Sequence, residues 1–405
     1  MIIHQPEINR ENGEICVSSR IEMENSTPEL PDRLWFRFPE SYSKFVSDRS
    51  DGFAASMLLL ANYFGKPLQV RGVISPRLAY GLQEYQRIFQ LWMPKIFPLV
   101  DIRFDKLQPL ESTGVQNKIG LGFSGGVDSL YTLRSHLPQD QKIPSAALTH
   151  GIFIHGIDIG LDETEIYHSL YERYARLFQG FGLQLLTLRT NVVSFYQFRV
   201  NWNYSHGGPM VAPALIFGKL LSRYYISATN SYLETILLGT SPVTDHWLST
   251  ETLEVIHYGG SKNRAEKIIA LGDWPAANQV LRVCAAPVKS IEFDNCGRCN
   301  KCMRTIVTLE IVGVLDKFAT FERPFRYLDF LRWGFLVIPL PKYGKQILKL
   351  ACAYGRIDIA LPMLLVIILG KIKKKGISLL FNHLSKDVLY RMKRRIYGQQ
   401  LTDTS

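Results

Sequence analysis

The sequence predicts an α/β fold: a doubly wound parallel sheet, with a small N-terminal α/β domain before it and a helical C-terminal extension after it. Three observations carry that expectation. Between Lys118 and Ala228, short apolar runs alternate with stretches of helical period, the pattern of strands joined by crossover helices. Such crossovers are right-handed, which makes the strands parallel and gathers ligands at their carboxyl ends. A paired-glycine bend lies between the first such strand and its helix. Finally, the net charge of +11 is concentrated at the end of the chain, where Pro341–Ser405 carries 13 Lys or Arg against three Asp. The remaining body is close to neutral, so any attraction to a polyanion belongs to the appendage. At 405 residues and 46% hydrophobic content, the chain is long enough for two or three globular domains.

The elements follow in order. The first 25 or so residues carry one or two short strands. Leu34–Phe38 alternates as a strand, Gly52–Phe64 has helical period and stops at Gly65, Leu68–Ile74 is a strand, and Pro76–Phe97 a long helix. This arm, residues 1–112, lacks a chemical motif and is expected to be structural or oligomerising, with a homo-oligomer the expected assembly. Gly and polar residues at Leu110–Asn117 mark the boundary. From residue 113 to 315 the order is strand Ile119–Phe123, helix Ser129–Leu137, strand Ala146–Ile152, helix Glu163–Gln179, strand Gln184–Thr190, helix Met210–Ser222 and strand Tyr224–Ala228. The extension spans 316–405. Within it, Ile359–Gly370 is apolar and runs into Lys371-Ile-Lys-Lys-Lys375. Twelve residues with Pro362 inside are too few to span a bilayer, which takes about 20. A buried helix with a basic end is the favoured reading, a membrane-surface segment the alternative. Lys386–Tyr397 has the pattern of a terminal amphipathic helix.

The bend itself reads Leu121-Gly-Phe-Ser124-Gly125-Gly126-Val127-Asp128-Ser129. A strand turning into a helix through two glycines points several backbone N–H groups into one small space, and the helix N-terminus adds partial positive charge. That is a seat for a pyrophosphate. Ser124 and Ser129 supply hydroxyls, and the Asp128 carboxylate suits the Mg²⁺ that accompanies ATP, since hard cations take oxygen ligands. No Gly-Lys-Ser/Thr follows, so this is not a Walker loop.

Four of the six cysteines fall close together: Cys284, then Cys296, Cys299 and Cys302 in two overlapping C-x-x-C units. Four soft ligands are the number and type that tetrahedral Zn²⁺ prefers. Paired disulfides, a persulfide-carrying redox pair and an Fe–S cluster are the competing readings. Met1–Arg10 is charged and has no apolar signal core, so a reducing, cytoplasmic compartment is expected, with contact at the inner face of the membrane as a variant. Cys16 and Cys352 stand alone and read as packed thiols.

The hexapeptide Ser124–Ser129 resembles the PP-loop of the N-type ATP pyrophosphatases, which cleave ATP between the α and β phosphates. With Cys284 some 160 residues further on and the C-x-x-C-x-x-C run after it, the chain resembles the 7-cyano-7-deazaguanine synthase family over roughly Lys118 to Val314. The resemblance implies an adenine nucleotide alpha hydrolase-like, Rossmann-like fold. It implies that Ser124, Gly125, Gly126, Val127, Asp128 and Ser129 bind ATP with Mg²⁺, and that Cys284, Cys296, Cys299 and Cys302 hold Zn²⁺. Asp245 matches an acidic position near the family's substrate pocket, and Arg264 stands where the family has a lysine before Ala-Glu, placed to neutralise departing pyrophosphate. Asp128, Ser129, Asp245 and Arg264 are therefore the candidate catalytic residues. His150, His155 and Asp158 follow the second strand, where PP-loop enzymes place the adenosine. Where the family carries an Arg-Asn pair, this chain has His206-Gly-Gly-Pro-Met210, and its Cys284-to-Cys296 spacing is longer. The resemblance thus bears on the ATP half-reaction more than on the acceptor. It implies an AMP-forming ligase joining a small-molecule acceptor to ammonia or another amine. A tRNA-modifying enzyme gripping RNA with the basic tail, and a non-catalytic nucleotide-binding scaffold at a membrane surface, are the rival expectations.

Overall fold

The structure, a computed structural model, describes residues 1–23, 29–111, 117–197, 199–234, 237–284, 294–321, 325–337 and 341–368. Lys371–Lys375 and the amphipathic segment Lys386–Tyr397 lie outside the described residues. The chain divides into two compact units, Met1–Arg264 and Ala265–Ser405.

The first unit opens with β1 (Ile2–Ile3), β2 (Glu7–Glu11), β3 (Glu14–Glu22) and β4 (Arg33–Pro39), then α1 (Asp51–Phe64), β5 (Leu68–Ile74), α2 (Pro76–Trp92) and β6 (Ile102–Leu107). It continues with β7 (Lys118–Gly122), α3 (Val127–Ser135), β8 (His150–His155), α4 (Thr164–Gly180) and β9 (Gln184–Thr190). The short helices α5 (Val192–Tyr196) and α6 (Trp202–Ser205) lead to α7 (Gly207–Ile216), β10 (Leu221–Ser227) and β11 (Glu254–Tyr258). α1 stops where Gly65 takes φ 61° and its N–H returns to the Ala61 and Asn62 carbonyls. α2 ends at Trp92, short of the expected Phe97, because Pro94 disfavours helical backbone at the residue before it.

All these strands join one 11-stranded sheet in the order β11-β10-β7-β8-β9-β4-β3-β1-β5-β6, with β2 beside β3. β7 to β11 pair parallel with one another, and β5 pairs parallel with β1 and β6. β4 meets β9 and β3 antiparallel. The sheet is therefore mixed and mostly parallel, which corrects the expectation of a wholly parallel one. The α/β class, the flanking helices and the helical C-terminal extension stand. Strands from before and after residue 112 share the sheet. The seam is stitched by Asn191, whose side-chain oxygen accepts from Trp35 N–H (3.0 Å) and whose amide donates to the Arg33 carbonyl (2.8 Å).

Helices cover both faces. Neighbouring residues of a strand point to opposite sides: the Tyr224 hydroxyl donates to the Met210 carbonyl of α7, while the Tyr225 ring packs on His136 at the end of α3. α7 lies so close to α1 that a Cβ on Gly208 would stand 1.9 Å from the Ala55 carbonyl oxygen. Phe36, Phe38, Phe53 and Phe217 are fully buried between the layers, each stabilising by roughly 1.5–3 kcal/mol.

The second unit is helical: α8 (Arg264–Gly272) begins at the division, followed by α9 (Pro275–Val280), α10 (Asn300–Val312), α11 (Tyr327–Val337), α12 (Pro341–Ala353) and a further helix, α13, over residues 357–368. Met303, Val307, Phe330, Trp333, Ile347 and Met363 form its core. Among the described residues no helix is long and apolar enough to cross a membrane.

Candidate functional site

β7 delivers the loop Phe123–Gly126 to the carboxyl edge of the parallel strands, next to the point where the order turns from β7-β8-β9 to β7-β10-β11. Gly125 has φ 72°, a conformation that costs an L-residue about 1–2 kcal/mol. A Cβ there would also stand 2.0 Å from the Tyr174 hydroxyl. Gly126 caps α3 with extended backbone (φ −78°, ψ 168°). Three of the loop's internal hydrogen bonds are long: Ser124 N–H to Ser129 Oγ, Gly126 N–H to Ser124 Oγ, and the two hydroxyls to each other are all 3.4 Å, while Ser129 Oγ donates to the Gly126 carbonyl at 3.1 Å. Groups held this loosely give up little on meeting a ligand. The first-turn N–H groups of α3 lie at the same edge.

Asp128 lies in that first turn, and its Oδ2 accepts from Arg264 Nη1 at 2.7 Å. The two side chains are 18% and 15% exposed. Arg264 Nε is buried with no acceptor among the described residues. The structure thus brings Ser124, Gly125, Gly126, Val127, Asp128, Ser129 and Arg264 to one place.

Asp245 is used differently. It is wholly buried; its Oδ1 accepts from Ser241 N–H (2.9 Å) and Thr244 Oγ1 (3.1 Å), and its Oδ2 bonds His257 Nδ1 at 2.8 Å. Both oxygens serve the chain itself, which leaves His257 to carry any outward chemistry. His257 lies near the carboxyl end of β11, and Nε2 has no partner among the described residues. Through β10 it stands level with Gly122, two strands away, or about 10 Å. His206 caps α7 beside this pair, with Nδ1 on the Trp202 carbonyl (2.9 Å) and Nε2 near Thr240 Oγ1 (3.3 Å). Desolvation pushes its pKa down.

His150 and His155 occupy opposite ends of β8. His150 lies at the amino end, bonded to Thr149 Oγ1 and Gln184 Oε1, and burial pushes it down to about 4. His155 lies at the carboxyl end, with Nε2 on the Gly160 carbonyl at 2.6 Å and its ring stacked on Tyr167. A mostly apolar cavity of about 370 Å³ opens at the amino edge, bordered by Lys118, Leu148, His150 and Gln184. It lies at the opposite edge of the sheet from the glycine bend, and none of residues 123–129 borders it, nor does Arg264.

In the second unit, the Sγ atoms of Cys284, Cys296, Cys299 and Cys302 all lie within 4.8 Å of one another. Two of the separations, Cys284–Cys299 and Cys296–Cys302, are 3.9 Å, too long for disulfides. Gly297 (φ 65°) makes the knuckle turn, and Cys299 N–H and Cys302 N–H donate to the sulfurs of Cys296 and Cys299. Hydrogen bonds from neighbouring thiols hold Cys296 far below the usual thiol range, and the same crowding pushes Cys302 far up. Such a group is able to hold a metal ion, whose positive charge offsets part of the charge of the thiolates. Buried Asn295 keeps the two halves together: its oxygen accepts from Val283 N–H (2.7 Å) and Cys284 N–H (3.2 Å), while its amide donates to the Leu281 (2.7 Å) and Thr320 (3.2 Å) carbonyls. Neither Asn295 nor His257 is singled out by the sequence; the only signal for Asn295 is its place directly before Cys296.

Comparison with protein-family models, with curated proteins and with solved structures returns no match.

Proposed function

We propose that the chain is an ATP-dependent adenylating ligase, a divergent PP-loop enzyme of the 7-cyano-7-deazaguanine synthase type, forming AMP and pyrophosphate. The observation that carries this reading is the convergence of the Gly125–Gly126 bend, the head of α3 and the Asp128–Arg264 pair on one edge of the sheet. The doubly wound reading rests on the same edge, where the strand order turns at β7.

Loop N–H groups and the Ser124 and Ser129 hydroxyls would seat the β and γ phosphates. Asp128 would ligate the Mg²⁺ arriving with ATP, and Arg264, whose buried Nε has no acceptor among the described residues, would bond a phosphate oxygen. A carboxylate or amide oxygen of the acceptor attacks the α phosphorus; the bond to the bridging oxygen breaks and pyrophosphate leaves with its electron pair. Ammonia or another amine then attacks the activated carbon, and AMP departs. No residue need become covalently attached, so positioning and electrostatics carry the rate.

For the four-cysteine group we propose Zn²⁺. Four sulfurs at about 2.3 Å from one ion stand roughly 3.8 Å apart, close to the 3.9 Å separations here. An Fe–S cluster distributes its thiolates over different irons and spaces them further. Four thiolates leave no open position, so the ion is structural.

The test incubates the full chain with Mg–ATP, ammonium and pools of candidate carboxylic acids, resolving AMP from ADP. AMP with stoichiometric pyrophosphate, lost in Asp128→Asn, is the expected result. ADP formation, or no pyrophosphate release with any acceptor, overturns the reading.

A further inference from the structure

A reaction that consumes ammonia or an alkylamine meets it at neutral pH almost wholly as the cation. The carboxylate or amide acceptor brings no surplus proton; the amine alone does. A base must take that proton before the nitrogen has a lone pair to attack with. In the nucleotide site the one carboxylate, Asp128, is already bound to Arg264 at 2.7 Å.

His257 has the geometry of such a base. Wholly buried Asp245 accepts three hydrogen bonds, from Ser241 N–H (2.9 Å), Thr244 Oγ1 (3.1 Å) and His257 Nδ1 (2.8 Å). An acceptor facing Nδ1 keeps the proton on that nitrogen and leaves the lone pair on Nε2. The His257 side chain is 7% exposed, and Nε2 has no partner among the described residues. A histidine placed only for packing would spend both nitrogens on the chain, as His150 and His206 do. Tyr232 closes one side of the position. Its hydroxyl donates to the His257 carbonyl (3.4 Å), its ring stands 6.4 Å from the imidazole, and a Cβ on Gly260 would meet that ring at 2.3 Å.

The register ties this place to the glycine bend. Ile226 of β10 pairs with His257, and Tyr225 pairs with Leu121 of β7. A Cβ on Gly122 would meet the Tyr224 hydroxyl at 2.6 Å, on the sheet face that α7 covers, and alternation puts Ile226 and His257 on that face too. An acyl group held at the bend and the imidazole thus enter the interval between two strands' backbones, about 10 Å, from opposite sides.

We propose that His257 is the base that deprotonates the attacking amine, with Asp245 as its positioning residue; the inference rests on the ligase reading above. An ammonium ion gives one proton to Nε2 and becomes ammonia, whose lone pair attacks the carbonyl carbon of the acyl adenylate. The C–N bond forms, and the C–O bond to AMP breaks with its electron pair going to the phosphate oxygen. The second proton shed by nitrogen goes to that phosphate, and the imidazolium returns its own to solvent. The nitrogen donor that fits is a small amine, cationic in solution.

Reading the two half-reactions separately in the full chain tests this. The probes are Mg–ATP, labelled pyrophosphate, the pooled carboxylic acids, and either ammonium or hydroxylamine, which is largely unprotonated at pH 7 and needs no base. His257→Asn keeps a donor for Asp245 and deletes Nε2. Asp245→Asn presents a donor to Nδ1, which moves the ring proton to Nε2 and blocks the lone pair. Both variants should keep acid-dependent ATP–pyrophosphate exchange. Ammonium-supported AMP formation should fall about a hundredfold or more, while hydroxylamine-supported AMP formation stays near the parent rate. A structural histidine would slow both amines together. Equal losses with the two amines, unchanged turnover with ammonium in His257→Asn, or loss of exchange in both variants overturns the role of His257 and leaves the ligase reading in place. No exchange in the parent with any acid overturns both.

Discussion

Arg264, the last residue of the first unit, reaches across 136 residues of sequence to donate to Asp128 in the first turn of α3 at 2.7 Å. Both groups are largely withdrawn from water. The carboxylate proposed to take Mg²⁺ and the cation proposed to meet pyrophosphate therefore neutralise each other when no nucleotide is bound. On the proposed reading, Mg–ATP would offer Asp128 a cation and Arg264 an anion in place of each other.

Two groups in such contact are not independent. In a double-mutant cycle of Asp128→Asn and Arg264→Gln, the unfolding free energies are expected to miss additivity by roughly 0.5–3 kcal/mol. In calorimetric titration with a non-hydrolysable ATP analogue, Asp128→Asn should abolish the Mg²⁺ dependence of binding. Arg264→Gln should weaken binding while keeping that dependence. Additive stabilities would show the pair to be decorative.

Gly125→Ala meets two obstacles: a φ of 72° and a Cβ 2.0 Å from the Tyr174 hydroxyl. The backbone term alone is about 1–2 kcal/mol, so the thermal midpoint falls and nucleotide affinity falls with it. Tyr174→Phe removes the nearest atom but leaves a ring carbon at 2.4 Å. It should therefore fail to rescue Gly125→Ala, and full rescue by it would refute this account of the bend.

Elements whose signal is local were legible in the sequence. β5 and β9 run over the expected residues, and α1 stops at Gly65 as its left-handed cap requires. β8 lies four residues later than the apolar pattern indicates, because Pro144–Ala146 forms a 3-10 turn where the strand is expected to begin. β11 leaves no such signal: five residues at a sheet edge, Glu254–Tyr258, lack the length or alternation of a strand. The joining of β4 to β9 depends on Asn191 finding Arg33 and Trp35 more than 150 residues away, and periodicity carries no record of that. The cysteine cluster is visible from spacing alone. The Asp245–His257 contact is not, since it spans a turn and an unread strand.

Asn295 makes a sharp prediction for the metal site. Asn295→Ala leaves the N–H groups of Val283 and Cys284 and the carbonyls of Leu281 and Thr320 without partners. Each such buried group costs about 1–3 kcal/mol. Competition with a chromophoric chelator should report a zinc affinity at least about tenfold lower. Asn295→Asp keeps the acceptor for the two N–H groups and should fall between the parent and Ala. An unchanged affinity in Asn295→Ala would mean that Cys284 is placed by other contacts.

Asp245 and His257 separate stability from nucleotide binding. His257→Phe strands a carboxylate that is wholly buried, and loss of one partner from such a pair costs about 3–5 kcal/mol. Asp245→Asn retains an acceptor for Ser241 N–H and Thr244 and should cost less. Neither change touches the glycine bend, so affinity for the ATP analogue should persist in folded protein. Loss of that affinity in both variants would place the pair in the nucleotide site itself.

Acid stability follows from the buried histidines. His150 is held down to about 4 against an ordinary 6.5, chiefly by desolvation, and burial lowers His136, His155 and His206 as well. A histidine with a depressed folded-state pKa is neutral in the native protein while the unfolded chain takes up a proton. Above pH 6.5 neither state is protonated and stability is unaffected. As pH falls from 6.5 towards 4, the unfolded chain binds more protons and native stability drops; below 4 the loss from His150 is complete. For His150 the full loss is on the order of 3 kcal/mol at about 1.4 kcal/mol per pKa unit. Urea midpoints measured at pH 7 and pH 5 should therefore differ, with the lower midpoint in acid. In His150→Gln, which titrates nowhere in this window, the difference should shrink but persist through the other three. An undiminished difference in that variant would show that His150 is protonated, or hydrated, in the folded chain.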